Sequence, residues 1–161
     1  MAPAGLLVLR VVLGALFAAH GAHWLFGSFG GAALGVGGLT ATATYFAGTG
    51  LGPAFLFVLT AGVLQLAGGV LLLVGYFTRF IAIALIVVEA VRVSYDSARW
   101  GFFLNWALDP TRGHGIEYSV LVMGVLTCLA LGGAGDWSVD AITARTRASR
   151  MAGRARVRDH A

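Results

Sequence analysis

Charge is what this sequence has least of. Only 11% of its 161 residues are Asp, Glu, Lys or Arg, against roughly 25% in a typical soluble domain. None lies between Val11 and Thr78. That stretch is long enough to cross a hydrocarbon layer about 30 Å thick twice, at about 20 residues per crossing with a linker between. The balance is that of one small integral membrane domain.

Cysteine is nearly absent as well. Cys128 stands alone inside an apolar run, so it cannot close an intramolecular disulfide and excludes a Cys-x-x-Cys dithiol mechanism within one chain. No Gly-rich phosphate loop follows a strand, and no Ser, His, Asp arrangement is visible. The net charge of +4 looks like a nucleic-acid signal until the basic residues are located. Six of the eleven are Arg145, Arg147, Arg150, Arg154, Arg156 and Arg158. With no aromatic to stack a base, this tail is not a nucleic-acid site. It acts first as a topology determinant under the positive-inside rule, and second as a surface for anionic membrane lipid, about 1 kcal/mol per Arg.

What is present is glycine, 24 residues of it, and long apolar runs. The runs predict an all-α protein: a four-transmembrane-helix bundle with spans at about 6–26, 54–75, 80–95 and 116–131. The domain covers residues 1–140, and 141–161 form an arginine-rich, disordered tail. The first run also has the outline of a secretory signal, Arg10 followed by Val11 to Ala19, but lacks a convincing small-residue cleavage site. Gly14, Ala18 and Ala22 give it a small-residue stripe for another helix, and Arg10 is placed to snorkel to the interface. Between the first two spans, Leu39 to Gly48 is expected to be a short helix at or dipping into the interface. In span three, Glu89 and Arg92 are three apart and can pair. The stretch after it interleaves Trp100, Phe103 and Trp106 with Asp96, Arg99, Asp109, Arg112 and His114, a composition that belongs at a membrane surface.

Four spans put both termini on one side. The arginine tail and Arg79 make that side cytoplasmic in the plasma membrane. His20, His23, Gln65, Glu89, Arg92 and Glu117 then share the outer half of the bundle. Ionisable groups at such depth are functional candidates. The alternative for Gln65 is interhelical glue, worth about 0.6 kcal/mol. Two histidines three apart, without a second pair, make a weak metal signal, and no metal is expected. What remains suits proton-coupled chemistry: an imidazole that titrates near neutrality, carboxylates and an arginine. A lipid-soluble quinone needs such groups around an apolar, aromatic slot.

Several motifs together resemble the DoxX family of four-helix membrane proteins. They are Arg10, Gly14, His20-Gly21 and Leu25-Phe26-Gly27; Gly68-Gly69, Leu71 to Gly75 and Thr78-Arg79; and Glu117-Tyr118 with Gly133-Ala134-Gly135-Asp136-Trp137-Ser138-Val139-Asp140. Gly101 to Trp106 followed by Gly113-His114-Gly115-Ile116-Glu117-Tyr118 is similar to the DoxD-like branch, the small membrane subunit of thiosulfate:quinone oxidoreductase. The resemblance spans about Leu6 to Asp140. It implies quinone-linked redox work on sulfur compounds or thiols, with a partner redox subunit or a homo-oligomer. Trp24 stands where the family often has Lys, and Gln65 where it often has Glu.

In the leading assignment, His20 and Glu117 handle protons, Glu89 and Arg92 complete the catalytic group, and Arg92 orients an anionic donor. Gln65, Trp100, Phe103, Trp106 and His114 bind the quinone. The runner-up is a non-catalytic anchor or assembly subunit for a soluble redox enzyme. A small-solute transporter fits less well, because four short spans show no pseudo-symmetric pair of interrupted helices.

Overall fold

The computed structural model describes residues 3–30 and 37–158, with side chains from Ala4 to Ala152. Among the described residues it is all-α, with six α-helices: α1 (Pro3–Phe26), α2 (Leu39–Gly48), α3 (Ala54–Val74), α4 (Thr78–Arg92), α5 (Glu117–Gly132) and α6 (Val139–Arg158). Two are long and apolar enough to cross a membrane, Ala4–Phe26 and Ala54–Val74. At 15 residues α4 is shorter. A π segment, Val93–Ser97, and a 3-10 turn, Ala98–Trp100, continue it without a break, which extends the rod from Thr78 to about 34 Å.

The ring closes through α1 on α3, α3 on α4, α4 on α5, and α5 back on α1. The α1–α3 seam is the tightest, and glycine makes it so. A Cβ on Gly69 would stand 2.6 Å from the Gly14 carbonyl oxygen, and one on Gly14 would stand 2.8 Å from the Gly69 carbonyl oxygen. Gly21 is in the same position against Gly62 and Leu66. The stripe is therefore Gly14, Ala18 and Gly21; Ala22, expected from four-residue spacing, lies one position off it. Backbones this close gain dispersion contacts that larger side chains would forbid.

Two apolar clusters fill the ring. One, at the end carrying both termini, joins Leu13, Phe17, Leu72, Leu85, Val122 and Leu126. The other, at the loop end, joins Trp24, Phe46, Val58, Ala61 and Val88, with α2 folded over it. Trp24 thus fills an aromatic core with Phe46 and Phe57 at ring distances of 5.2 and 6.3 Å. The outer faces are apolar too: Phe80, Ile83 and Val87 form an exposed stripe along α4, and Val120 and Leu121 lie exposed on α5.

At the terminal end, Arg10 does not snorkel outward. It is only 2% exposed and donates to the carbonyls of Ala134 at 2.8 Å and Trp137 at 2.6 Å. A guanidinium can leave the surface when its fork finds free carbonyls, here those of the loop between α5 and α6. Gly75, left-handed at φ 72°, closes α3 against it, where a Cβ would strike the guanidinium. Asp140 completes the latch: its carboxylate accepts from the backbone N–H of Phe77 at 2.9 Å and Thr78 at 3.1 Å, satisfying the open start of α4.

The expected short helix over Leu39 to Gly48 is α2; residues 31–36 of the linker before it lie outside the described residues. The arginine-rich segment differs from the disordered tail predicted from its charge. Residues 139–158 are helical, because the Asp140 latch fixes the first turn from which the helix propagates.

Candidate functional site

On the loop side of the first apolar cluster every helix of the ring carries polar residues. On α1, His20 falls between Phe17 of one cluster and Trp24 of the other. On α3, Gln65 falls between Leu72 and Ala61; on α4, Glu89 and Arg92 follow both Leu85 and Val88; on α5, Ser119 precedes Val122. These residues make a polar layer that begins between the clusters at His20 and Gln65 and reaches the level of the second cluster at Glu89 and Arg92.

Arg92 is the centre of its hydrogen bonding. It grips Glu89 with both arms of the fork, Nε to Oε2 at 3.1 Å and Nη2 to Oε1 at 2.6 Å. Nη2 also donates to Ser119 Oγ at 2.5 Å, tying α4 to α5. Nη1 donates to Asp96 Oδ2 and to Ser97 Oγ, both at 3.2 Å. Those two acceptors lie four and five residues on, and the π segment's wider turn lets both face one guanidinium. Asp96 in turn accepts from Tyr45 Oη at 2.5 Å, so α2 is fastened across the loop end. Burial, then the hydrogen bond and charge of Asp96, hold the Tyr45 hydroxyl above the usual phenol range, and Arg99 opposes them.

His20 is exposed on the flank of α1, with Nδ1 2.9 Å from the Leu16 carbonyl. A carbonyl only accepts, so Nδ1 carries the proton and the neutral ring keeps Nε2 open. Glu89 lies within electrostatic reach of His20, and Tyr118 within reach of Glu89 and Arg92. Near the terminal end α1 meets α5 through Leu6 beside Gly132, and His20 and Tyr118 are both exposed. Gln65 is 4% exposed on α3. Among the described residues, the buried side-chain atoms without a hydrogen-bond partner are Arg10 Nε and Thr78 Oγ1.

Other expected positions lie apart. Glu117 is half-buried and accepts from the Leu104 N–H at 3.1 Å, securing the loop before α5 and making no hydrogen bond to Arg92 or His20. His114 Nδ1 accepts from the Asn105 N–H at 3.2 Å, while Phe103 and Trp106 are exposed on the same loop. Trp100 carries Arg99 over its ring at 4.9 Å. His23 packs the end of α1, its Nδ1 donating to Ser28 O at 3.0 Å. Among the described residues no three His, Cys, Asp or Glu side chains converge as a metal site. Two surface grooves of about 420 Å³ lie elsewhere, one between Thr78–Phe80 and Gly132–Gly135 and one beside α2.

Ser119, Asp96 and Tyr45 were not singled out from the sequence as site residues. Asp96 had a signal, four residues beyond Arg92 on a helix. Ser119 and Tyr45 had none, since each meets the layer only through a tertiary contact.

The DoxX family model matches residues 5–94, more than half the chain and all of α1 to α4 past Gly5. The protein belongs to the DoxX family of membrane proteins. No curated protein and no solved structure matches it.

Proposed function

We propose that this protein is a four-span plasma-membrane subunit of a quinone-linked oxidoreductase, passing electrons from a reduced sulfur or thiol donor such as thiosulfate to membrane quinone. The observation that carries the proposal is the polar cluster of the bundle: Glu89 and Arg92 paired through both arms of the guanidinium and tied to Ser119 and Asp96, with His20 exposed on the flank of α1 within electrostatic reach of Glu89, and Gln65 buried on α3. A lipid-soluble, planar ligand entering from the bilayer beside His20 meets apolar side chains and a few polar groups, the chemistry of a small-molecule site.

The apolar outer faces of α4 and α5 support two further spans beside α1 and α3. The short α5, about 24 Å long, needs local bilayer thinning of the kind mismatched helices impose. Arg79 and the tail arginines against Arg99 and Arg112 make both termini cytoplasmic.

When bound, quinone supplies an acceptor of two electrons and two protons. Gln65 donates an amide hydrogen bond that orients the ring. His20 takes and delivers a proton at Nε2, since Nδ1 is committed to Leu16. Arg92 holds Glu89 through both arms of its guanidinium, beside His20 on the neighbouring helix. Ser119 and Asp96 fix the guanidinium. The loop aromatics Phe103 and Trp106, with Trp100 and His114, seat the outer loop at the membrane surface.

Reduction of a decyl-quinone by thiosulfate, measured on the protein with its partner subunit, tests the reading. His20→Ala lowers the rate at least about a hundredfold, the range for one proton-transfer group, and Gln65→Ala lowers it as well. Equal rates in wild type and both variants contradict the assignment. A second reading, a non-catalytic anchor for a soluble redox enzyme, is favoured by one observation: every arm of Arg92 is already satisfied within the bundle. It predicts stoichiometric recovery of that enzyme with both variants fully active.

A further inference from the structure

Every described side chain of α6 from Ala144 to Ala152 is exposed, so no helix of the bundle covers it. An uncovered helix of this composition has little to hold it together. Arg147 and Arg150 meet no carboxylate among the described residues, and Arg145 reaches only Asp136, at 3.6 Å with both side chains exposed. In the sequence Arg154 and Arg158 continue the spacing at steps of four. Like charges three and four apart on a helix repel by a few tenths of a kcal/mol per pair. A polar helix without internal ion pairs is not stable on its own in water.

The first turn, by contrast, is tied down. Asp140 N–H donates to the Gly75 carbonyl at 3.0 Å, and its carboxylate caps α4. This puts the arginine stripe at the level where the bundle ends, beside the exposed rings of Phe77, Phe80 and Trp137, an aromatic collar of the kind found at membrane interfaces.

We propose that α6 is a charge-gated surface helix whose occupant is the anionic phospholipid leaflet. Its arginines are neutralised by lipid phosphates, repulsion along the stripe is relieved, and the helix persists. On a neutral leaflet the repulsion stands and the segment beyond the Asp140 latch frays. Charge complementarity and the fixed height of the first turn select lipid over a soluble acidic partner. The proposal is independent of any redox role.

Hydrogen exchange followed by mass spectrometry tests it on the full chain in nanodiscs of phosphatidylcholine alone or mixed with phosphatidylglycerol. Amides of residues 144–158 are expected to exchange about tenfold more slowly in the anionic discs. The difference disappears in high salt and in the variant R147Q/R150Q/R154Q, while protection of α1 and α3 stays constant. Equal exchange in the two discs, whether fast or slow, overturns the proposal.

Discussion

Arg92 and Glu89 are joined through both arms of the guanidinium, at 3.1 and 2.6 Å, one turn beyond the core residues Leu85 and Val88 of α4. Glu89 retains only 8% of its side-chain surface. Removing Arg92 leaves the Glu89 carboxylate a buried charge without its cation, which costs about 3–5 kcal/mol, whereas removing Glu89 still leaves Arg92 its pair with Asp96. Arg92→Met therefore lowers the thermal midpoint in detergent, and Glu89→Gln on top of it restores part of the loss. A double variant no more stable than Arg92→Met contradicts the pairing.

The Gly69 backbone approaches Gly14 too closely for any side chain. Gly69→Leu is expected to separate α1 from α3 and cost at least about 1–3 kcal/mol, the range for overpacking. Gly124 has open space where a Cβ would go, so Gly124→Ala is near neutral or slightly stabilising. Thermal unfolding of the two variants side by side checks the contrast.

Arg10 secures the terminal end through two carbonyl contacts. Arg10→Ala is expected to cost about 3 kcal/mol or more, from hydrogen bonds to a charged donor at about 1.5–3 kcal/mol each. Arg10→Lys recovers only part, because a single ammonium cannot reproduce the fork. Proteolysis between Gly132 and Asp140 reads the loosened loop directly, faster in both variants and fastest in Arg10→Ala.

Tyr45 donates to Asp96, and its hydroxyl titrates above the ordinary phenol value of about 10. A group whose folded value is raised contributes stability that is fully present below the unfolded value. That contribution is lost as pH rises through the folded one. The α2 tether is accordingly intact at neutral pH and weakens only in strong alkali. Asp96→Asn moves the Tyr45 titration, followed by tyrosinate absorbance against a Tyr45→Phe blank, to lower pH; an unchanged titration contradicts the bond.

The helices were legible where physics is local. Apolar runs at 6–26, 54–75 and 116–131 match α1, α3 and α5 within three residues at each end, because membrane-length hydrophobicity leaves little choice of structure. Span three was read to residue 95, while the helical rod continues as π and 3-10 turns to Trp100, since polar Ser94 to Arg99 hide a helix that tertiary hydrogen bonds sustain. The Glu89–Arg92 pair followed from spacing alone. Glu117 did not: depth along α5 placed it in the layer, but the loop before α5 folds back and takes its carboxylate, leaving Ser119 one half-turn further in to meet Arg92. Arg10 was misjudged because snorkelling is the usual fate of an arginine near a helix end, and only the fold of residues 133–140 supplies the carbonyls that hold it inside.

The central proposal is that the layer around Gln65 and His20 binds quinone. Native mass spectrometry of the protein extracted with its lipids tests this most directly, comparing wild type with Gln65→Ala and with the loop variant Trp106→Ala. One quinone mass per chain in wild type and Trp106→Ala, lost in Gln65→Ala, is the predicted result. Phospholipid alone on all three would contradict it.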